Sequence, residues 1–426
     1  MLISLKVNNC FIYNSEVEFS MRANMHYKRF SSNVASINKS NVLKTALIIG
    51  PNNMGKTNFI RVLSAIKGII LNKKNRLMKN FFVDDPVCGF DIIFLENGQE
   101  YSFEVKYNVE THEYIYEKFS AITYDDNKNK KIDNFFERDT IKGKHECKKD
   151  SALVAAMKVS AKNNLLIHLL DVSQFSILDD TKRILMSFAS KIDIIDMNNI
   201  PIKKTIDMLK KSNREKQEIV NFILNADLCL DDYKYLTEEE LKQKIKVKEN
   251  SGDESDMNPQ ESALSTSAPV MEMLHLSSVY KGVSVPSLLF DSTGTKKIAA
   301  IASYVIDALK NGRILIVDEL DNSLHFRLTR AIIALFNNEL NSKAQLICTA
   351  HDVSLLDCNK MFRKEQIWFA HKDRENVYLY SLAEFTSEKD KIRDTTALIE
   401  KYKQGVFGAL PEPDLFNSLI EVQNNV

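Results

Sequence analysis

The chain has 426 residues, a length that at roughly 150 residues per domain calls for several domain-sized units or one large head with an insertion. Fifty-seven Lys+Arg balance 57 Asp+Glu, so no whole-chain charge marks a general binder of nucleic acid or membrane, and any such contact must be local. A hydrophobic fraction of 44% supplies real cores and excludes a disordered chain, while 12 Gly and 8 Pro exclude collagen-like and Gly/Pro-rich linker proteins.

Leu2 to Met21 alternates (Ile3, Leu5, Val7, then Val17, Phe19, Met21) and reads as two strands broken at Asn8-Asn9 and Asn14-Ser15. Lys6, Glu16 and Glu18 interrupt this stretch where a signal peptide needs an unbroken apolar run, and no run approaches the roughly 20 residues of a membrane span. Cys10, Cys88, Cys147, Cys229, Cys348 and Cys358 form no C-x-x-C pair, which suits a reducing compartment. The chain is expected to be soluble and cytoplasmic, with no membrane contact.

A buried strand is expected at 45–49, then an amphipathic helix from about Thr57 to Leu71, on which Phe59, Val62, Leu63, Ile66 and Ile70 share a face. Residues 87–124 alternate again, with Asn97-Gly98 as a hairpin turn. From about 150 the pattern turns helical, and 249–270, rich in Ser, Asp, Glu and Pro and free of aromatics, reads as a flexible linker. Strand and helix alternation then resumes: strand 287–290, a helix to about Leu309, strand 313–317, helix 325–340, strand 345–349. The expected organisation is residues 1–125 as the first half of an α/β head, 126–248 as a helical insertion, 249–270 as the linker and 271–426 as the second half with a tail. A parallel sheet is the expected core.

Gly50-Pro51-Asn52-Asn53-Met54-Gly55-Lys56-Thr57, followed by Asn58, fits G-x-x-x-x-G-K-[ST]. Small residues let backbone N–H groups turn inward around an anion, Lys56 neutralises phosphate, the Thr57 hydroxyl can hold Mg²⁺, and the helix N-terminus adds its dipole. The run Arg313-Ile-Leu-Ile-Val317 ends in Asp318-Glu319, which a buried parallel strand would deliver to its C-terminal edge. There Asp318 would partner the metal, and Glu319 would orient or deprotonate an attacking water. Ser292 and Gly294 precede a helix, a pattern that serves equally as a plain cap or a phosphate contact. His351 follows the strand QLICTA, where an imidazole could reach a γ-phosphate.

In this order, with Leu320-Asp321 after the acidic pair, the motifs resemble the ABC/SMC-type ATPase head. The stretches LNADLCLDDY, DSTGTKKIAAIASYVIDALKNGRILIVDELDNSLHFRLTRAIIALF, TAHDVSLLD and KYKQGVFGALPEPD are similar to bacterial AAA-family ATP-binding proteins of the RloA type, relatives of OLD and SMC heads found in anti-phage loci. The resemblance implies ATP and Mg²⁺ as ligands and face-to-face heads in a homodimer or higher homo-oligomer. It makes Lys56 and Thr57 ligands of phosphate and Mg²⁺, Asp318 a metal partner, Glu319 and His351 catalytic, Ser292 and Gly294 a signature acting in trans, and Asp321 a cross-dimer contact. Asp291 stands where transporters carry Leu, and Met54 where Ser or Gly is commoner.

Thr57 and Ser292 stand much further apart than in a transporter head, which argues against transport, and no long heptad coiled coil lies between them. No D-x-D pair occurs in the chain, so a nuclease of the OLD type is not expected. The expected role is a slow ATPase that acts as sensor or scaffold for a separately encoded nuclease or toxin in anti-phage defence. A DNA-binding repair or recombination clamp of the SMC/OLD type is the alternative. Nucleic acid could touch the Lys/Arg-rich segments 128–149 and 203–216, for which a solvated helical face is the plainer reading.

Overall fold

The computed structural model describes residues 1–426 except 126–128, 149, 170–171, 212, 227–228, 242–271, 358–359, 374–375, 387–389, 391, 393–396, 409 and 411–426. The linker expected at 249–270 and most of the closing tail lie outside the described residues.

The first half runs β1 (Leu2–Asn8), β2 (Val17–Ser20), β3 (Val34–Ile37), β4 (Ser40–Leu43), β5 (Thr45–Ile49), α1 (Lys56–Ile70), β6 (Val87–Glu96), β7 (Gln99–Asn108), β8 (Glu113–Tyr124), β9 (Lys130–Asp139) and β10 (Lys144–Cys147). Then come α2 (Ser151–Val159), α3 (Ser176–Ser190), β11 (Ile192–Asp196), α4 (Lys203–Lys210), α5 (Asn213–Asn225) and β12 (Asp232–Tyr235). The second half has β13 (Leu276–Tyr280), β14 (Val283–Pro286), α6 (Ser287–Phe290), α7 (Thr293–Asn311), β15 (Ile314–Asp318), α8 (Phe326–Asn337), β16 (Gln345–Ala350), β17 (Ile367–Lys372), β18 (Val377–Ser381) and α9 (Leu398–Lys403).

Two sheets dominate. One is antiparallel, in the order β10-β9-β8-β7-β6-β1-β2, and the other runs β11-β15-β16-β5-β17-β18, parallel except at β18. Successive side chains of a strand face opposite ways, and β5 shows the use made of this. Ala46 and Ile48 join α1 and the antiparallel sheet in one core, whereas Leu47 and Ile49 join α7, α8 and α9 in a second. The helix α1 thus lies between the two sheets. Phe19 of β2 pins that arrangement, with its ring 4.8 Å from Phe59 of α1 and 4.8 Å from Trp368 of β17. A third core packs α4, α5, β12 and β13 on the alanine face of α7, through Ala299, Ala300 and Ala302.

The α/β head with its N-terminal β-layer is as expected, and Asn97 and Gly98, both at positive φ, form the turn between β6 and β7. Three expectations are corrected. The stretch read as a helical insertion, 126–248, contains β9 and β10, which extend the antiparallel sheet, and β11, which is the edge strand of the parallel sheet. The Lys/Arg-rich segment 128–149 is therefore a β-hairpin where described, not a helical face. Residues Ser287–Phe290 form a short helix rather than a strand. A four-residue apolar run carries no period, and here the buried Asp291 that ends it, accepting from Ser278 Oγ at 2.6 Å, Tyr280 Oη at 2.9 Å and Ser287 Oγ, fixes it as a turn of helix.

Candidate nucleotide site

Because β15, β16 and β5 are neighbours and parallel, their C-terminal ends stand side by side, where an open α/β sheet leaves a crevice. The sequence after β5 is the phosphate loop, after β15 Glu319, and after β16 His351.

The loop is shaped by its two glycines. A Cβ on Gly50 would run into the Ala370 carbonyl of β17, and Gly55, at φ 102, would place a Cβ 2.9 Å from Ile12 Cδ1. Pro51 is buried, Met54 half-buried against the first core, and Asn52 and Asn53 are exposed, with Asn53 at φ 62. Gly55 is also the N-cap of α1 and contributes no capping side chain, so the first-turn N–H groups face the loop without a side-chain acceptor. Thr57 in that turn is exposed, with Asn58 half-buried beside it. Lys56 is buried, and its Nζ donates to Gly50 O and, at 2.8 Å, to Pro51 O, while lying 3.4 Å from His351 Nδ1. Burial lowers its pKa to about 8 against the opposing pull of Asp318, Glu319 and Asp321.

Thr349 of β16 organises the acids. Its Oγ1 donates to Asp318 Oδ1 at 2.6 Å and accepts from the Glu319 N–H at 2.8 Å. Glu319 sits at φ 55, a left-handed conformation that costs a residue with a side chain and aims this carboxylate out of the strand line. Its Oε2 accepts from Asn198 Nδ2 at 2.9 Å and Asn322 Nδ2 at 3.0 Å, and its Oε1 lies 3.4 Å from His351 Nε2. The bonds from Asn198 and Asn322, with a smaller one from His351, hold the Glu319 carboxyl below the usual carboxylate range despite partial burial. Asp321 Oδ2 accepts from the N–H groups of His351 at 2.9 Å and Asp352 at 2.7 Å, which fixes the turn that carries the histidine. Lys56, Glu319, Asp321 and His351 are thereby brought together.

Ser292 and Gly294 do not join this group. Ser292 caps α7, accepting from the Thr295 N–H at 3.1 Å, and a Cβ on Gly294 would stand 3.0 Å from Ser323 O. The start of α7 is fastened to the turn after Glu319 by Lys297, whose Nζ donates to Asn322 Oδ1 at 2.9 Å and Ser323 Oγ at 3.1 Å. Sequence reasoning missed Asn198, Asn322 and Thr349. Asn198 follows a short apolar run, Ile192, Ile194 and Ile195, that the helical reading of that region hid.

Several cations of the two Lys/Arg-rich segments are ion-paired within the chain. Arg138 is buried against Glu117, and Lys144 pairs with Glu137 and Glu146. In 203–216, Lys204 is held by Asp193 and Asp307, and Lys210, Lys211 and Arg214 each have a Glu partner. No helix among the described residues is long and apolar enough to cross a membrane.

Residues 46–357 match the family described as "AAA domain, putative AbiEii toxin, Type IV TA system". Among solved structures, the SMC head domain from Thermotoga maritima is 12% identical with a TM-score of 0.43, over 89% of this chain and 98% of that one. An SMC head bound to the C-winged helix domain of ScpA is 12% identical with a TM-score of 0.42, over 91% and 99%. No curated protein matches the chain.

Proposed function

The chain belongs to this AAA-domain family, matched over 46–357, and on that premise we propose that it binds Mg²⁺–ATP at the phosphate loop, hydrolyses it slowly between paired heads, and uses the cycle to control a separately encoded effector, a nuclease or toxin, in prokaryotic anti-phage defence. The observation that carries the ATP reading is the bridge made by His351, one ring nitrogen 3.4 Å from Lys56 Nζ and the other 3.4 Å from Glu319 Oε1. It ties the group that would neutralise phosphate to the group that would handle water.

The residues present suit a triphosphate. The side chain of Lys56 meets carbonyls and an imidazole rather than a carboxylate, so an anionic ligand supplies the counter-ion that its burial calls for. The uncapped first turn of α1 offers N–H donors to the same anion. Thr57 and Asp318 would hold Mg²⁺, which when bound neutralises charge on the phosphates. Glu319, kept ionised by its amide donors, is a weak base and a good acceptor, so it orients the attacking water more than it deprotonates it. Its short tether to His351 lets the imidazole sense whether the γ-phosphate is present.

Ser292 and Gly294 act across a homodimer or higher homo-oligomer, completing the site of the facing head, with Asp321 at the contact. The differential affinity of the closed pair for ATP over ADP is what shifts the population. The effector is assigned to another gene product because the chain has no D-x-D metal pair of its own. The family's description, with its toxin and TA system, supports a locus that works with a second component.

The test is a phage challenge of cells carrying the whole locus, with wild type, Lys56→Ala and Glu319→Gln compared, beside ATPase assays of mixed Lys56→Ala and Ser292→Arg chains. Both single variants should lose protection, and mixing should restore one intact composite site per mixed dimer. Protection untouched by either substitution would remove the ATP switch, and hydrolysis stimulated by DNA without any effect on phage would turn the reading to a repair or recombination clamp.

A further inference from the structure

The loop that leaves α1 carries a surface none of this chemistry uses. Lys73, Lys74 and Arg76 stand exposed there, without a carboxylate partner among the described residues, in contrast to the paired cations of 203–216. Just beyond them Phe81 is 79% and Phe82 94% exposed, so both faces of the second ring are open to solvent. Exposed phenyl rings are unfavourable in water, and a slack loop would tuck them away.

This loop is built to hold them out. Asn80 is buried: its Oδ1 accepts from the Phe82 N–H at 2.8 Å, and its own N–H donates to Asn9 Oδ1 at 3.1 Å. Asn9 Nδ2 in turn donates to Asp85 O at 2.8 Å and Val87 O at 2.9 Å, which closes the far side. Leu77 is buried in the first core, and Lys79 Nζ donates to Val83 O at 2.6 Å.

We propose that residues 73–82 bind single-stranded nucleic acid, with Lys73, Lys74 and Arg76 on phosphates and Phe81 and Phe82 stacked on bases. Unpaired cations ask for a polyanion, and rings with open faces ask for flat apolar partners; an unpaired strand offers both along one chain. A duplex hides its base faces and could use only the cations. An anionic bilayer would also meet the exposed acids Asp84 and Asp85, which follow the rings closely in sequence.

The same anchor reaches the nucleotide site. Phe11 N–H donates to Met78 O at 2.9 Å, and two residues on, Tyr13 Oη donates to Gly55 O at 3.0 Å, next to Ile12, which packs on Gly55. Residues 9–13 thus join the strand-binding loop to the phosphate loop, and a bound strand raises hydrolysis through them. This coupling rests on the ATP reading above, whereas the binding does not.

The experiment is fluorescence anisotropy of labelled oligothymidylate and oligouridylate of about 20 nucleotides, long enough for one such surface, titrated with the full chain without nucleotide across a salt series. A duplex and phosphatidylserine vesicles are the other arms. Wild type should bind either single strand more tightly than the duplex. Phe81→Ser with Phe82→Ser should weaken binding by about a hundredfold, roughly tenfold per lost stacking ring. Lys73→Gln with Lys74→Gln and Arg76→Gln should flatten the slope of log K against log salt by about 2, at 0.7 per phosphate. All five are surface positions, and unchanged basal ATPase in both variants shows that the fold is intact. Equal affinity in wild type and the Phe variant, preference for the duplex, vesicle binding alone, or no binding would each overturn the proposal. Lys56→Ala should still bind the strand, so failure of the ATP reading leaves this result standing. Strand binding that leaves ATPase unmoved would sink the coupling alone.

Discussion

Arg138 and Glu117, on neighbouring strands β9 and β8 of the antiparallel sheet, are fully buried and bonded to each other. Arg138 also donates to Ser160 Oγ, Ala161 O and Asn164 O, and the second Glu117 oxygen accepts from the Leu166 N–H, so only Arg138 Nε lacks a partner. At the edge of the parallel sheet charge is handled differently. Lys56 meets only carbonyls and an imidazole, its pKa falls to about 8, and Asp321 Oδ1 is buried with no partner among the described residues. The Arg138–Glu117 pair finds its counter-charge within the chain, whereas buried Lys56 has no carboxylate bonded to it and keeps capacity for an anion that binds.

The contrast can be broken most forcefully at Arg138. Arg138→Leu strands Glu117 in the core and should cost about 3–5 kcal/mol in urea unfolding, while adding Glu117→Leu should return most of that loss. A single-variant cost near zero would show that the pair does not hold the β-layer. Next comes Asn198, whose amide is bonded to Glu319 and which, on the proposed ATP reading, acts through that carboxylate rather than on substrate. Asn198→Ala should lower kcat by about tenfold, as expected for losing a hydrogen bond to a charged group, with KM for ATP nearly unchanged. A rise in KM alone would place Asn198 in nucleotide binding instead.

The smallest effect expected is at Glu100, where burial raises the carboxyl pKa but bonds from Arg22, Ser40 and Tyr124 outweigh it and leave the net shift downward. A depressed folded pKa contributes stability above the unfolded value of 4.5, which is lost as pH falls through the lower folded one. Because Arg22 is 38% exposed, Glu100→Gln should cost only about 1 kcal/mol at neutral pH. Unfolding of wild type and variant should converge as pH drops below 4.5. A gap that persists in acid would mean that packing, not charge, sets the cost.

The phosphate loop and the Asp318-Glu319 strand were legible because each motif is local: a turn pattern between a strand and a helix, or an apolar run ending in acids. Asn198 was not, because its role depends on β11 pairing with β15 across more than a hundred residues, in register Asp196 with Asp318. No periodicity in a five-residue strand announces that. β9 and β10 were missed for a related reason. Their Lys, Arg and Glu content suggested a solvated helix, whereas in the sheet Arg138 and Glu137 are buried and ion-paired. The signature stretch is intermediate: Ser292 could be seen as a cap, but the hydroxyl donors that hold Asp291 come from β13 and α6 and required the tertiary structure.

The central claim is that Lys56 and the acids at the strand ends form one ATP site, with binding and turnover separable. Its most direct measurement is equilibrium titration of Mg²⁺–ATP into wild type, Lys56→Ala and Glu319→Gln, with phosphate release followed in parallel. Lys56→Ala should lose nucleotide binding. Glu319→Gln should bind as wild type does and release phosphate at least about a hundredfold more slowly. Equal ATP affinity in wild type and Lys56→Ala would contradict the site.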